Sequence, residues 1–298
     1  MFEDYKATKQ DLLVIEEGIN FVWNPKLKFI FADKSKIEKT VVVISYDSQF
    51  IYIWSPKGIN GLDTLECGLE QYHLYKIPHK SKIKDEWQSG WCAGLLDRKI
   101  EKYLPKSIKQ KTIFEVPRIS GGLLTPFIEL QKKRRKDNPY ITRESYLATI
   151  VHEFGHVYWH QHKLWYYSNK KENLLLLRIS KRLYTKGGKL PKVLIRFPIF
   201  EGMEGMSELF AFCAEYQASL IFWPTHKRNL DIFTANRIEY LLKLEEVKNL
   251  DQEDSVLEPS KYPHDFAFVF SKIILTLYPK TWPQVLIAPT PNILHIPS

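Results

Sequence analysis

Residues 149–162 read TIVHEFGHVYWHQH and hold four of the nine histidines in a chain of 298 residues. His152, Glu153 and His156 form H-E-F-G-H, an instance of H-E-x-x-H. On a helix, residues i and i+4 lie one above the other, about 6 Å apart along the axis. Two imidazoles so placed can converge on one tetrahedral zinc, at bonds of about 2.0–2.1 Å. Glu153 sits about 100° around the helix, where its carboxylate reaches a metal-bound water without displacing it. That is the position of a general base.

A catalytic zinc needs a third protein ligand and an open position. His160 lies at i+8 from His152, about 12 Å along a straight helix, too far to share one ion. A helix-breaking glycine would bring it round, but Val157, Tyr158 and Trp159 supply none. His160 therefore reads as a cleft residue and His162 as a surface one. The segment IFEGMEGMSELFAFCAEYQASLIFW offers better candidates. Plotted at about 100° per residue, Glu201, Glu204, Glu208 and Glu215 share one stripe of an otherwise apolar helix. Glu201 and Glu215 read as a solvated face. Glu204 and Glu208 are about 6 Å apart along the axis, so one of them binds a given zinc and its neighbour supports it.

These residues need elements to carry them. Thr142 is a good N-cap, Glu144 falls in the first turn, and Leu147, Ile150, Val151 and Phe154 make an apolar stripe. A helix from Thr142 to about residue 165 follows. Further helices are expected over 5–23, 85–103 and 172–185. Others should run from Pro198 to Trp223–Pro224, over about 229–248, and from near Pro263 to before Pro279. Strand candidates are LKFIFA (27–32), TVVVISY (40–46), FIYIWS (50–55) and TIFEVP (112–117), with 63–76 ambiguous. The DSQ turn between the second and third suggests a hairpin. The run KKRRK, Lys132 to Lys136, reads as a loop ending at Pro139.

The composition is globular: 44% of residues are hydrophobic and 26% charged, enough for a large core or two subdomains. The formal charge of +9 comes from lysines spread along the chain. It allows an acidic or nucleic-acid partner without demanding one. Three widely spaced cysteines make no disulfide framework, and no window is apolar enough to span a membrane. The expected location is the cytoplasm.

With its motif and downstream glutamate helix, the sequence resembles the gluzincin branch of zinc metallopeptidases. SELFAF, with Glu208, is similar to the E-x-F-A pattern of small gluzincins and of the anthrax lethal factor catalytic domain, which also carries HEFGH. MEGMSE, with Glu204, looks like the N-E-G-x-A pattern of thermolysin-related aminopeptidases, though Met203 stands where the asparagine belongs. The resemblance implies zinc held by His152, His156 and Glu208, with Glu204 the alternative. It implies Glu153 as the base that drives hydrolysis of a peptide or protein substrate. In this group a tyrosine or histidine from the lower lobe stabilises the oxyanion, and Tyr216, Tyr262 and His264 are the candidates here. The implied fold is α+β and zincin-like. An upper lobe carries a twisted mixed sheet and the active-site helix, and a mostly helical lower lobe supplies the glutamate. TIFEVP, or the stretch after Gly122, is the candidate for an edge strand that pairs with substrate. The resemblance covers about residues 105–280, so the expected division is an N-terminal α/β segment, 1–104, and a catalytic domain, 105–298. The rival reading is a catalytically inactive zincin-like binding or regulatory protein that contacts nucleic acid through its basic surface.

Overall fold

The first helix, α1 (Lys9–Trp23), begins at Thr8, whose hydroxyl accepts from the Asp11 amide while the Asp11 carboxylate accepts from the Thr8 amide. This reciprocal cap satisfies donors that a helix start leaves without partners. The computed structural model describes residues 4–33, 35–82, 90–94, 96, 98–109, 116–134, 138–162, 178, 180–185, 203–247 and 263–287. The chain divides into two units, Met1–Gln161 and His162–Ser298.

The first unit is α+β. After α1 come a 3-10 turn (Pro25–Leu27), α2 (Ser35–Glu38), β1 (Val42–Tyr46), β2 (Phe50–Ser55), β3 (Thr64–Leu65) and β4 (His73–Pro78). Then follow β5 (Cys92–Ala93), α3 (Arg98–Glu101), β6 (Arg118–Gly121), α4 (Leu124–Arg134) and α5 (Arg143–His160). Among the described residues, six strands form one mixed sheet in the order β3-β4-β2-β1-β6-β5. β1 and β2 make the expected hairpin, with Tyr46 opposite Ile51. β6 runs parallel to β1, so strands from both sides of residue 105 share the sheet. One face packs Val42, Ile44, Ile51, Ile53 and Tyr75 against Ile100, Leu104 and Ile108. On the other face the Trp54 indole donates to buried Glu16 of α1, which also accepts from the Gly68 amide.

Asp47 is the hub of the hairpin turn. Its carboxylate accepts from the amides of Ala7, Gln49 and Phe50 and from the Tyr52 hydroxyl. Its own carbonyl accepts from the buried His79 ring, which fixes the proton on Nε2.

Several local expectations are corrected. LKFIFA forms turns and not a strand, because Leu27, Ile30 and Phe31 are buried at the spacing of a helical turn and the amides of Ile30 and Phe31 bond back to the Leu27 carbonyl. Within 85–103, the described residues include a strand and only one helical turn. Gly94, at φ +86°, breaks any helix there and its amide bonds to Arg118. Residues 112–115 of TIFEVP lie outside the described residues, and 116–117 form no strand. The stretch after Gly122 is the start of α4, so it offers no edge strand. Lys132, Lys133 and Arg134 are the last turn of α4 and not a loop, where cations complement the helix dipole.

The second unit, as described, is helical: 180–185, α6 (Met203–Phe222), α7 (Pro224–Val247), α8 (Pro263–Leu277) and α9 (Trp282–Leu286). α7 starts at Pro224 and not near 229, because proline at the first helical position needs no amide partner and has its φ already set. α6 and α8 run parallel in a fixed register: Glu208 meets His264, Phe212 meets Phe268 and Tyr216 meets Lys272. Trp282 of α9 packs on Phe210. Among the described residues, no helix is long and apolar enough to cross a membrane.

Removing the Asp47 carboxylate strands the buried Tyr52 hydroxyl and deprives three less buried amides of their acceptor, at about 1–3 kcal/mol for each donor that water cannot reach. Asp47→Ala should destabilise the protein by roughly 3–5 kcal/mol, visible as a lower urea midpoint.

Candidate metal centre

The helix that carries the H-E-x-x-H motif is fixed from almost every side. Thr142 and Ser145 cap α5 reciprocally, and Arg143 pairs with Glu17 of α1. Gly18 lets α1 approach so closely that a Cβ there would strike Ile150. Trp23 packs edge-on against Phe154, and Phe31 against Tyr158. Tyr146 donates to the Gly122 carbonyl and meets the rings of Trp91 and Phe127. The stripe Leu147, Ile150, Val151 and Phe154 is fully buried, as its spacing predicts.

From Ser145 to His160, the residues that escape full burial are Thr149, His152, His156 and His160. They form a single stripe at helical spacing. Along it the Nε2 atoms of His152 and His156 lie 3.1 Å apart, with their rings at 72°. One Nε2–H can donate to the other nitrogen across that gap. Two nitrogens bound tetrahedrally to one zinc would be about 3.3 Å apart, given bonds of about 2.05 Å. The pair fits a zinc with a shift of a few tenths of an ångström. Glu153, beside this stripe, is buried at 6% exposure.

α5 stays helical to His160 and ends at Gln161, short of residue 165. His160 therefore remains a full turn beyond His156. Burial first, and the His156 charge second, push its pKa down to about 4, so the ring is neutral at pH 7. His162 is half-buried.

In the second unit, Glu208 is mostly buried, and its Oε1 lies 3.5 Å from Nε2 of the exposed His264 ring. Glu204 falls in the first turn of α6, but its side chain lies outside the described residues, as do Glu201 and Tyr262. The Tyr216 hydroxyl donates to Asp231 at 2.6 Å and accepts from Lys272 at 3.2 Å. Burial, then the bond to Asp231, raises its pKa well above that of a free tyrosine. Its proton is committed to that carboxylate.

Glu215 is not on a solvated face. It is 1% exposed, and its Oε1 lies 3.3 Å from Nε2 of the equally buried His226. Helical-wheel arithmetic placed Glu215 on the right stripe but could not see that α7 packs over it. Sequence reasoning also missed Arg237, whose guanidinium grips Asp265 with two bonds, and the Lys227–Asp231 pair. The last had a signal in its i,i+4 spacing. The other two join residues 11 and 28 positions apart, with no local signature.

The chain was compared with known protein families, curated proteins and solved structures, and it matches none of them.

Truncating one partner of a buried hydrogen-bonded pair leaves the other's polar atom unsatisfied and costs about 1–3 kcal/mol. Glu215→Ala should therefore lower the thermal midpoint sharply. In a double-mutant cycle, Glu215→Ala and His226→Ala should be non-additive by at least about 1 kcal/mol.

Proposed function

We propose that the protein is a zinc-dependent metallopeptidase of zincin-like fold, with His152, His156 and Glu208 as the metal ligands. The observation that carries this reading is the 3.1 Å approach of two imidazole nitrogens on an otherwise buried helix. His152, His156 and Glu208 each offer one donor atom of a kind that binds a metal ion. Two imidazoles and a carboxylate are a donor set suited to a hydrolytic zinc with one position left open.

Zinc, when bound, would acidify a water and polarise the scissile carbonyl. Glu153 would take the proton of the attacking water and deliver it to the leaving amine. Its burial beside the histidine stripe supports that role, since a carboxylate shielded from bulk solvent keeps its geometry and exchanges its proton locally. An N–H donor must meet the carbonyl oxygen as charge develops on it. His264 suits this task better than Tyr216, because its ring is exposed and stands next to Glu208, whereas the Tyr216 proton already serves Asp231.

Two measurements test the assignment. By metal analysis, Glu208→Ala should lose the zinc that wild type holds at about one per chain, while Glu204→Ala keeps it. Retention by the first and loss by the second would move the third ligand to Glu204. Glu153→Gln should keep zinc and fold yet slow cleavage of a peptide mixture by about 10²–10⁴-fold. Wild-type rates in that variant would sink the mechanism.

A further inference from the structure

His264 sits at a weak point of the fold. It is the second residue of α8, in the turn where a helix has the fewest backbone bonds. Its side chain is 69% exposed, so its own packing does not hold it beside Glu208. Further along α8, the register against α6 is set by the Phe212–Phe268 ring contact at 4.6 Å and by Lys272 donating to Tyr216. Neither reaches the first turn.

What does reach it is α7. Arg237 Nε donates to Asp265 Oδ1 at 2.6 Å, and a terminal nitrogen donates to Oδ2 at 2.8 Å. This is a planar two-bond fork, the geometry that gives arginine–carboxylate pairs their orientation as well as their strength. Asp265 is 8% exposed and follows His264 directly in the chain. The Arg237 guanidinium also lies 4.9 Å from the centre of the Tyr240 ring, an i,i+3 contact that steadies it on α7. Fixing both oxygens of Asp265 fixes the backbone turn that carries His264.

We propose that Arg237 is a positioning residue: by clamping Asp265 it holds the first turn of α8 so that His264 stands beside Glu208 in the active site. The inference rests on the metallopeptidase reading and on His264 as the donor within it. Arg237 touches neither metal nor substrate, so its loss should act on turnover and not on binding. Outer-shell partners of this kind typically contribute 10–100-fold.

The test uses the full chain and a fluorogenic peptide chosen from a wild-type digest, with kcat and KM measured separately and zinc and thermal midpoint measured alongside. Arg237→Met should lower kcat about 10–100-fold, with KM and zinc content within about two-fold of wild type. Arg237→Lys keeps the charge but not the fork, and should give a kcat between the two. If Arg237→Met does not fold, Arg237→Lys decides alone. A kcat within about two-fold of wild type in Arg237→Met, or in Arg237→Lys where Arg237→Met does not fold, overturns the proposal, as does a fall in kcat that comes with loss of zinc or a matching rise in KM. A wild-type protein that cleaves no peptide sinks the metallopeptidase reading and this proposal with it. An active wild type with an indifferent Arg237 sinks this proposal alone.

Discussion

Everything at the candidate centre depends on one constraint: α5 is buried on all sides except a single stripe. A helix repeats every 3.6 residues, so a residue type recurring at four-residue steps stays on one side for two or three turns. Here that side carries histidine at 152, 156 and 160, and the remaining surface is packed by α1, by aromatic rings and by the loop after β6. Close packing leaves a helix in such a setting little freedom to roll or slide. The 3.1 Å separation of the two imidazole nitrogens is thus a property of the frame. Gly18 is part of that frame, because a Cβ there would strike the end of the Ile150 side chain and one of the two would have to shift.

The second unit applies the same principle to a pair of helices. Contacts between α6 and α8 recur every four residues at a constant offset, from Glu208–His264 through Phe212–Phe268 to Tyr216–Lys272. An aromatic contact in the middle separates two polar ends with different characters. At one end a mostly buried carboxylate faces an exposed imidazole. At the other, Asp231 gathers a tyrosine proton and two lysine ammonium groups. The second end ties three helices together, which explains why Tyr216 is a poor source of a proton for chemistry.

Much of this was legible in the chain. The N-cap at Thr142, the apolar stripe of α5, the hairpin between β1 and β2 and the helices near 203–222 and 263–277 follow from capping chemistry and periodicity, which act within a few residues. The misreadings have a common cause. LKFIFA is apolar enough for a strand, but its burial follows the spacing of a turn. The segment around Cys92 has helical composition, yet a glycine at positive φ and pairing with β6 make it an edge strand. Glu215 looks like a surface residue until His226 is placed against it.

The sequence by itself determined the spacing of the histidines, the place of the adjacent Glu153 and the existence of a downstream carboxylate stripe, because helical geometry converts residue intervals into directions. Only the tertiary structure decided which side of each helix is buried, that Glu215 is sealed in while Glu208 meets an imidazole, and that Arg237 reaches Asp265. Those outcomes depend on which elements pack together across dozens of residues, and no local propensity encodes that choice.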